Sequence, residues 1–190
     1  DSDPSRGLGD VYKRQKNMSI SLSDASLKTY KQLLPASLAI MKKAEKHFTD
    51  EGANVNDLAE IRMIEDMAPL TFQVFSVVHH SIGAIDALKT GEFAPPKMPQ
   101  NLNFNDLITM LEDAEEKLNN LSDEEIDSLS GKDVMFRMGQ IEWTFTAEDF
   151  ILSFSLPNFY FHVTTLYDLF RIKGLEIGKL DFAGALRIKN

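Results

Sequence analysis

Residues 69–90, PLTFQVFSVVHHSIGAIDALKT, carry the pattern that decides the fold. Proline at the first position of a helix costs no hydrogen bond, and glycine is favoured directly after a helix, so Pro69 and Gly91 bracket a predicted helix. Between them, apolar side chains recur at three- and four-residue spacing on one side: Val74, Phe75, Val78, Ile82, Ile85 and Leu88. This stripe indicates a helix that buries one face in a core.

Three further stretches have a helical period. The first covers about 23–48 and contains Pro35, where we expect the helix to kink or restart because proline removes a backbone donor. The second covers about 105–121, and the third, very apolar, covers 146–174. A shorter helical piece is predicted around 57–64.

Residues 134–145 change to a strand period. Apolar and polar residues alternate there on both sides of Gly139 and Gln140, which predicts a β-hairpin. Helices joined by loops of this size are typical of antiparallel bundles. We therefore predict a mainly all-α fold, an antiparallel four-helix bundle with a β-hairpin before the last helix.

The composition narrows the classes of function. A chain of 190 residues, 43% of them hydrophobic, can bury one core, and we expect a single domain over 18–190. Its formal net charge of -9 disfavours nucleic acid and anionic membranes as partners. No apolar run is long enough to cross a bilayer. The sequence contains no cysteine, which excludes disulfides, thiolate zinc sites and cysteine nucleophiles and fits the cytoplasm.

Residues 1–17 differ from the rest of the chain. They hold Gly, Pro, Ser and charged residues without apolar periodicity, and residues 5–15 resemble translated sequencing-adapter read-through. We interpret 1–17 as a non-native or disordered leader.

The histidines are the candidate chemical groups, because glycine-rich phosphate loops, Gly-x-Ser-x-Gly and His-Glu-x-x-His are absent from the sequence. On the predicted second helix, His79 lies at the edge of the apolar stripe, whereas His80 points away from it. On the last helix, Asn158, His162 and Thr165 form a polar row. Buried polar groups need partners, so His162 is interpreted either as a core histidine that joins helices or as a ligand-binding residue.

Three strings resemble the DinB/YfiT-like superfamily, and within it an uncharacterised bacterial and fungal family of unknown function. They are DMAPL at 66–70, LPNFYFHVTT at 156–165 leading to Gly174, and LDF at 180–182. The resemblance covers about 18–182. It implies a four-helix bundle that is often dimeric.

The resemblance also implies a divalent-metal site of three histidines, used by some members in thiol-dependent transferase chemistry. Here the second-helix ligand would be His79 or His80, and His162 would take one place of the pair on the last helix. The other place is Asn158, whose amide oxygen is a poorer ligand than imidazole for Zn or Ni.

Two hypotheses follow. The chain is a non-catalytic or small-ligand-binding homodimer, or it is a divalent-metal enzyme using Zn, Ni or Fe at a degenerate His/Asn/His site. The metal hypothesis predicts that His79 or His80, Asn158 and His162 converge, and the other predicts that His162 is hydrogen-bonded in the core. Trp143 in the hairpin is either a partner-binding residue or part of the packing over the helices.

Overall fold

The computed structural model describes residues 20–189 of the chain. The leader predicted over 1–17 lies outside these residues. Within them, no helix is both long enough and apolar enough to cross a membrane.

Long helices form the framework of the described chain. We number them α1 (Leu27–Asp50), α2 (Leu70–His79), α3 (Ile82–Thr90), α4 (Phe104–Asn119) and α5 (Leu156–Ile172). Helix α1 packs against α4 and α5, and α2 packs against the same two helices. The apolar faces meet in one core, whose largest fully buried side chains include Tyr30, Phe104, Phe150, Phe159 and Phe170. The mainly helical prediction is confirmed, and the antiparallel four-helix arrangement stays a prediction.

Short elements connect the long helices. Helical turns cover Leu22–Ala25, Asp123–Asp127, Ala147–Asp149 and Lys179–Ala183, and a 3₁₀ helix covers Val55–Glu60, where a helical piece was predicted around 57–64. A π-helical segment, Phe150–Ser155, runs directly into α5. The predicted last helix is therefore π-helical for its second and third turns.

The predicted hairpin is present. Strands β2 (Asp133–Met138) and β3 (Ile141–Thr146) pair in antiparallel register around the turn at 139–140. A two-residue strand β1 (Glu92–Phe93) adds to β2 in parallel, with Phe93 opposite Phe136. Gly91 lies between α3 and β1. Its φ of 78° ends α3 in the left-handed region, which glycine adopts without strain.

Two helix boundaries differ from the predictions. Helix α1 continues through Pro35, and the break lies upstream at Ser26. The lost backbone donor is tolerated because side chains on both sides of the proline, among them Leu33, Leu34 and Leu38, are buried in the core. The helix predicted over 69–90 is interrupted at His80 and Ser81, and Pro69 caps it from outside.

Candidate functional site

A cavity of about 470 Å3 opens between α2, the β1 segment, strand β2 and the start of α5. Its size falls within the range of about 300–1,000 Å3 that is typical of small-molecule sites. Most of the side chains that line it are apolar: Phe72, Phe75, Phe93, Pro95, Pro96, Met98, Phe136, Met138 and Phe154. The polar ones are Ser76, His79, His80, Asn158 and His162. Among these described lining residues there is no Asp, Glu, Lys or Arg. We call this cavity the histidine pocket.

The break between α2 and α3 positions His80 at the base of the histidine pocket. The Ser155 hydroxyl donates to the His80 carbonyl oxygen (2.8 Å) and lies 2.9 Å from the Tyr30 hydroxyl. Because the serine has one hydrogen and gives it to His80, Tyr30 is the donor to Ser155. Burial raises the pKa of Tyr30, which keeps that proton in place. Ser155 ends the π-helical segment, so one hydrogen-bonded chain connects α1, this segment and the helix break.

The rings of His79, His80 and His162, three of the predicted site residues, lie close together. The rings of His80 and His162 are nearly parallel, with centroids 6.0 Å apart and planes 17° from each other. The ring centroid of His79 lies 5.2 Å from that of His80, and the His79 ring stacks on Phe93 with centroids 4.3 Å apart. Gly83 leaves room for His79, since a Cβ at that position would lie 3.0 Å from its Nδ1.

Asn158 also lines the histidine pocket, at its half-buried edge. Its amide nitrogen donates to the Phe154 carbonyl oxygen at 2.8 Å. Thr165, the third member of the polar row on the last helix, bonds the Phe161 carbonyl oxygen of its own helix and does not line the histidine pocket.

The prediction that His80 points away from the core is wrong. His80 and His162 are each 8% exposed, while His79 is half-buried. The prediction assumed that the apolar stripe is the only buried face of this helix. Helix α2 is instead packed between α4 and α5, so the second face, with Gln73 and Ser76, is buried as well.

His162 is tied to α2 through Gln73. Its Nδ1 lies 2.8 Å from the Gln73 Oε1, and the Gln73 amide nitrogen donates to the Ala68 carbonyl oxygen at 2.9 Å. This pair confirms that His162 has a hydrogen-bond partner within the core. A T-shaped contact with Phe72 covers the same ring.

Two ring nitrogens in the histidine pocket have no such partner. Among residues 20–189, the buried side-chain polar atoms without a hydrogen bond are the His79 Nε2 and the His80 Nδ1. Burial lowers the pKa of His79 and of His162 to about 4. Burial, together with the neighbouring His79 and His162, lowers the pKa of His80 to about 3. The three imidazoles are therefore neutral at pH 7.

A metal centre would require several donors of the histidine pocket to converge on one point. Neutral imidazoles are suitable ligands for Zn, Ni and Fe. Within residues 20–189, however, no three His, Asp or Glu side chains are grouped in a way that could hold a metal ion. In this conformation the residues do not fit such a centre, and the predicted set of His79 or His80, Asn158 and His162 stays a prediction.

Sequence reasoning missed two contributors to the site. Gln73 lies at i−3 of Ser76 and i−7 of His80, so this polar row along an apolar helix was a signal that a second buried face exists. Phe93 lies just after the predicted second helix. It contacts His79 because its segment pairs with β2, and the local sequence holds no signal for this pairing.

Trp143 packs on the outside of the same region. Its ring stacks on Phe136, with centroids 5.4 Å apart, and the residue is 50% exposed. Since Phe136 lines the histidine pocket, this tryptophan, the single one in the sequence, lies one side chain away from the cavity.

Comparison with known proteins agrees with this fold. The crystal structure of a DinB family member protein from Shewanella denitrificans superposes with a TM-score of 0.74, at 23% identity, over 89% of this chain and 95% of that one. No curated protein matches the chain. The family model described as a domain of unknown function (DUF1993) matches residues 22–183. The chain therefore belongs to the DUF1993 family, with a DinB-like fold.

Proposed function

We propose that the chain is a ligand-binding protein that takes an uncharged, largely aromatic small molecule into the histidine pocket. The observation that carries this proposal is the pair of buried, unpaired nitrogens on His79 and His80 inside an aromatic cavity. A buried polar atom without a partner costs about 1–3 kcal/mol. Such a cost is retained mainly at functional sites, and the cavity beside these histidines has room for a bound molecule.

The electrostatics of the histidine pocket favour a neutral ligand. The described lining residues include no charged side chain, and burial keeps the three histidines unprotonated at pH 7. A carboxylate or ammonium group would lose its hydration without gaining an opposite charge. An aromatic hydroxyl compound loses little hydration and gains contacts with Phe93 and Phe154.

Calorimetric titration tests the proposal with three probes of one shape. At pH 7 we expect 2-naphthol to bind, and 2-naphthoate and 2-naphthylmethylammonium to bind at least about tenfold more weakly, because an unpaired charge costs more than 1.4 kcal/mol in such a site. Asn158→Phe should abolish binding by filling the cavity edge. Thr164→Phe, on the exposed side of α5, is the matched control and should bind as the wild type does. Equal binding of the three probes, or no binding of 2-naphthol, would contradict the proposal.

We also propose that residues 18–190 form a single domain, an antiparallel four-helix bundle. The protein is proposed to act in the cytoplasm and not to bind nucleic acid. The packing of α1 and α2 against α4 and α5, the lack of cysteine and the net charge of -9 support these points. A homodimer is proposed as well, supported by exposed apolar side chains at Leu152 and Phe161. Light scattering after size exclusion should give twice the chain mass, and a monomer mass would contradict the dimer.

The second hypothesis is a divalent-metal enzyme with thiol-transferase-like activity that uses His79 or His80, Asn158 and His162. The observation that favours it is the set of three neutral imidazoles around one cavity. Elemental analysis of untagged protein, beside His162→Ala, tests it. Stoichiometric Zn, Ni or Fe that is lost in the variant would support the enzyme, and no metal after incubation with divalent ions would contradict it.

A further inference from the structure

We infer that Gln73 holds His162 with its proton on Nδ1, so that the Nε2 lone pair faces the ligand and selects molecules that carry a hydroxyl group. This inference rests on the proposed binding function and specifies the class of ligand. It assigns to Gln73, which lies behind the histidine pocket, a role in specificity.

The orientation of the Gln73 amide is set by its other contact. A backbone carbonyl oxygen only accepts hydrogen bonds, so the amide atom that lies 2.9 Å from the Ala68 carbonyl is the nitrogen. The amide oxygen is then the atom 2.8 Å from the His162 Nδ1. Because an amide oxygen only accepts, that Nδ1 must carry the proton. Ala68 precedes Pro69, the cap of α2, so the reference point of this chain of bonds is fixed backbone.

The remaining nitrogen of His162 follows from the charge state. His162 is buried, and the described lining of the histidine pocket holds no Asp or Glu that would stabilise an imidazolium, so the ring is neutral and its one proton is on Nδ1. The Nε2 is therefore a hydrogen-bond acceptor. Within residues 20–189 it has no hydrogen-bond partner, and the ring lines the histidine pocket.

His80 completes the recognition. Its Nδ1 is buried without a partner, and a buried unpaired N–H is rarer in proteins than a buried unpaired acceptor. We therefore place the proton of neutral His80 on Nε2, where it is a donor. The His80 and His162 ring centroids are 6.0 Å apart, and we place one ligand hydroxyl between the two rings. A hydroxyl donates to His162 and accepts from His80 at the same time, which an ether or a hydrocarbon cannot do.

The first part of the test needs no ligand. Nitrogen-15 NMR of the histidine rings in the wild-type protein at pH 7 should show a protonated Nδ1 and an unprotonated Nε2 for His162. In Gln73→Met, which removes the acceptor at similar length, the two tautomers should both be populated. Gln73→Glu keeps an oxygen acceptor at Nδ1, so Nδ1 should stay protonated, while the carboxylate raises the pKa of His162. A protonated Nε2 in the wild type would overturn the inference, whatever the variants do.

The second part compares 2-naphthol with 2-methoxynaphthalene, which has the same rings but no hydroxyl proton. We expect 2-methoxynaphthalene to bind about tenfold more weakly to the wild type, because it leaves the His162 acceptor unpaired. In Gln73→Met the difference should shrink. Equal affinity of the two compounds in the wild type would overturn the inference and leave the proposed pocket intact. Failure of both compounds to bind would overturn the proposed function together with the inference.

Discussion

Buried polar groups are hydrogen-bonded to one another on one side of Ser155, and some of them lack a partner on the other side. On the α1 side, the Tyr30 hydroxyl, the Ser155 hydroxyl and the His80 carbonyl form a continuous hydrogen-bonded chain, and Phe159 closes over Tyr30 with its ring centroid 5.0 Å away. On the other side, His79 and His80 each keep a buried nitrogen without a partner. The two regions are separated by one residue of the π-helical segment.

This difference distinguishes a region whose hydrogen bonds are complete in the free protein from a region whose hydrogen bonds are not. The α1 side satisfies its polar atoms internally and buries the Tyr30 side chain completely, so we regard it as structural. The histidine pocket leaves space and unpaired nitrogens together, a combination that destabilises the free protein. Unpaired buried polar groups of this kind are retained at functional sites, where π-helical segments are also frequent.

The largest difference in the free energy of unfolding is expected between variants of two phenylalanines, one from each region. Phe159→Ala should lower the free energy of unfolding by about 3–5 kcal/mol, because the ring is fully buried in the core. Phe154→Ala should cost less than half as much, since its half-buried ring already borders the cavity. Urea unfolding of both variants measures the contrast. Equal losses would mean that the histidine pocket is packed as tightly as the core.

Acid should destabilise the protein through the histidine pocket. His80 and His162 have pKa values of about 3 and 4 when folded, against an ordinary value of 6.5. The unfolded chain therefore takes up protons first as the pH falls, and stability present above pH 6.5 is lost toward pH 4. Each of these two histidines contributes about 1.4 kcal/mol per pH unit over that window.

Urea unfolding between pH 7 and pH 5 measures this slope, in a range where carboxyl groups contribute little. His80→Leu should remove its share of the slope. A free energy of unfolding that stays constant over this range would contradict neutral, buried histidines.

A stabilising substitution is expected in the histidine pocket. His80→Leu should raise the free energy of unfolding at pH 7 by about 1–3 kcal/mol, because it removes a buried nitrogen that has no partner. The backbone carbonyl of residue 80 still accepts from Ser155, so the helix break is kept. Thermal denaturation gives the sign directly. A destabilised variant would show that the ring nitrogen is satisfied in the free protein.

The smallest effect has the opposite sign and lies on the α1 side. Tyr30→Phe removes the donor to Ser155 and should cost about 0.5–1.5 kcal/mol. It should leave 2-naphthol binding unchanged, because Tyr30 does not line the histidine pocket. Weakened binding at unchanged stability would mean that the hydrogen-bonded chain positions His80 for the ligand.

The fold was predictable wherever its causes are local. Alternating apolar residues on both sides of Gly139 and Gln140 indicate the hairpin, and Thr146 caps the helix that is predicted to begin at that residue. Pro35 shows the limit of local rules, because the packing of neighbouring helices keeps α1 continuous through it.

The site was predictable only in part. The polar row on its helix left His162 either as a core histidine or as a ligand-binding residue. Its partner Gln73 was not identified, because the second buried face of α2 depends on how α4 and α5 pack against this helix. His80 was misplaced for the same reason. The Phe93 contact requires a two-residue strand that pairs with a hairpin about 40 residues later, and no local pattern announces such pairing.

The most direct test of the account is the location of a bound probe. In isotope-filtered NMR of the wild-type protein with 2-naphthol, we predict nuclear Overhauser effects from the naphthyl protons to the ring protons of Phe154 and His162. Contacts confined to the exposed rings of Phe161 and Tyr160 on α5, with none to Phe154 or His162, would contradict the assignment of the histidine pocket as the binding site.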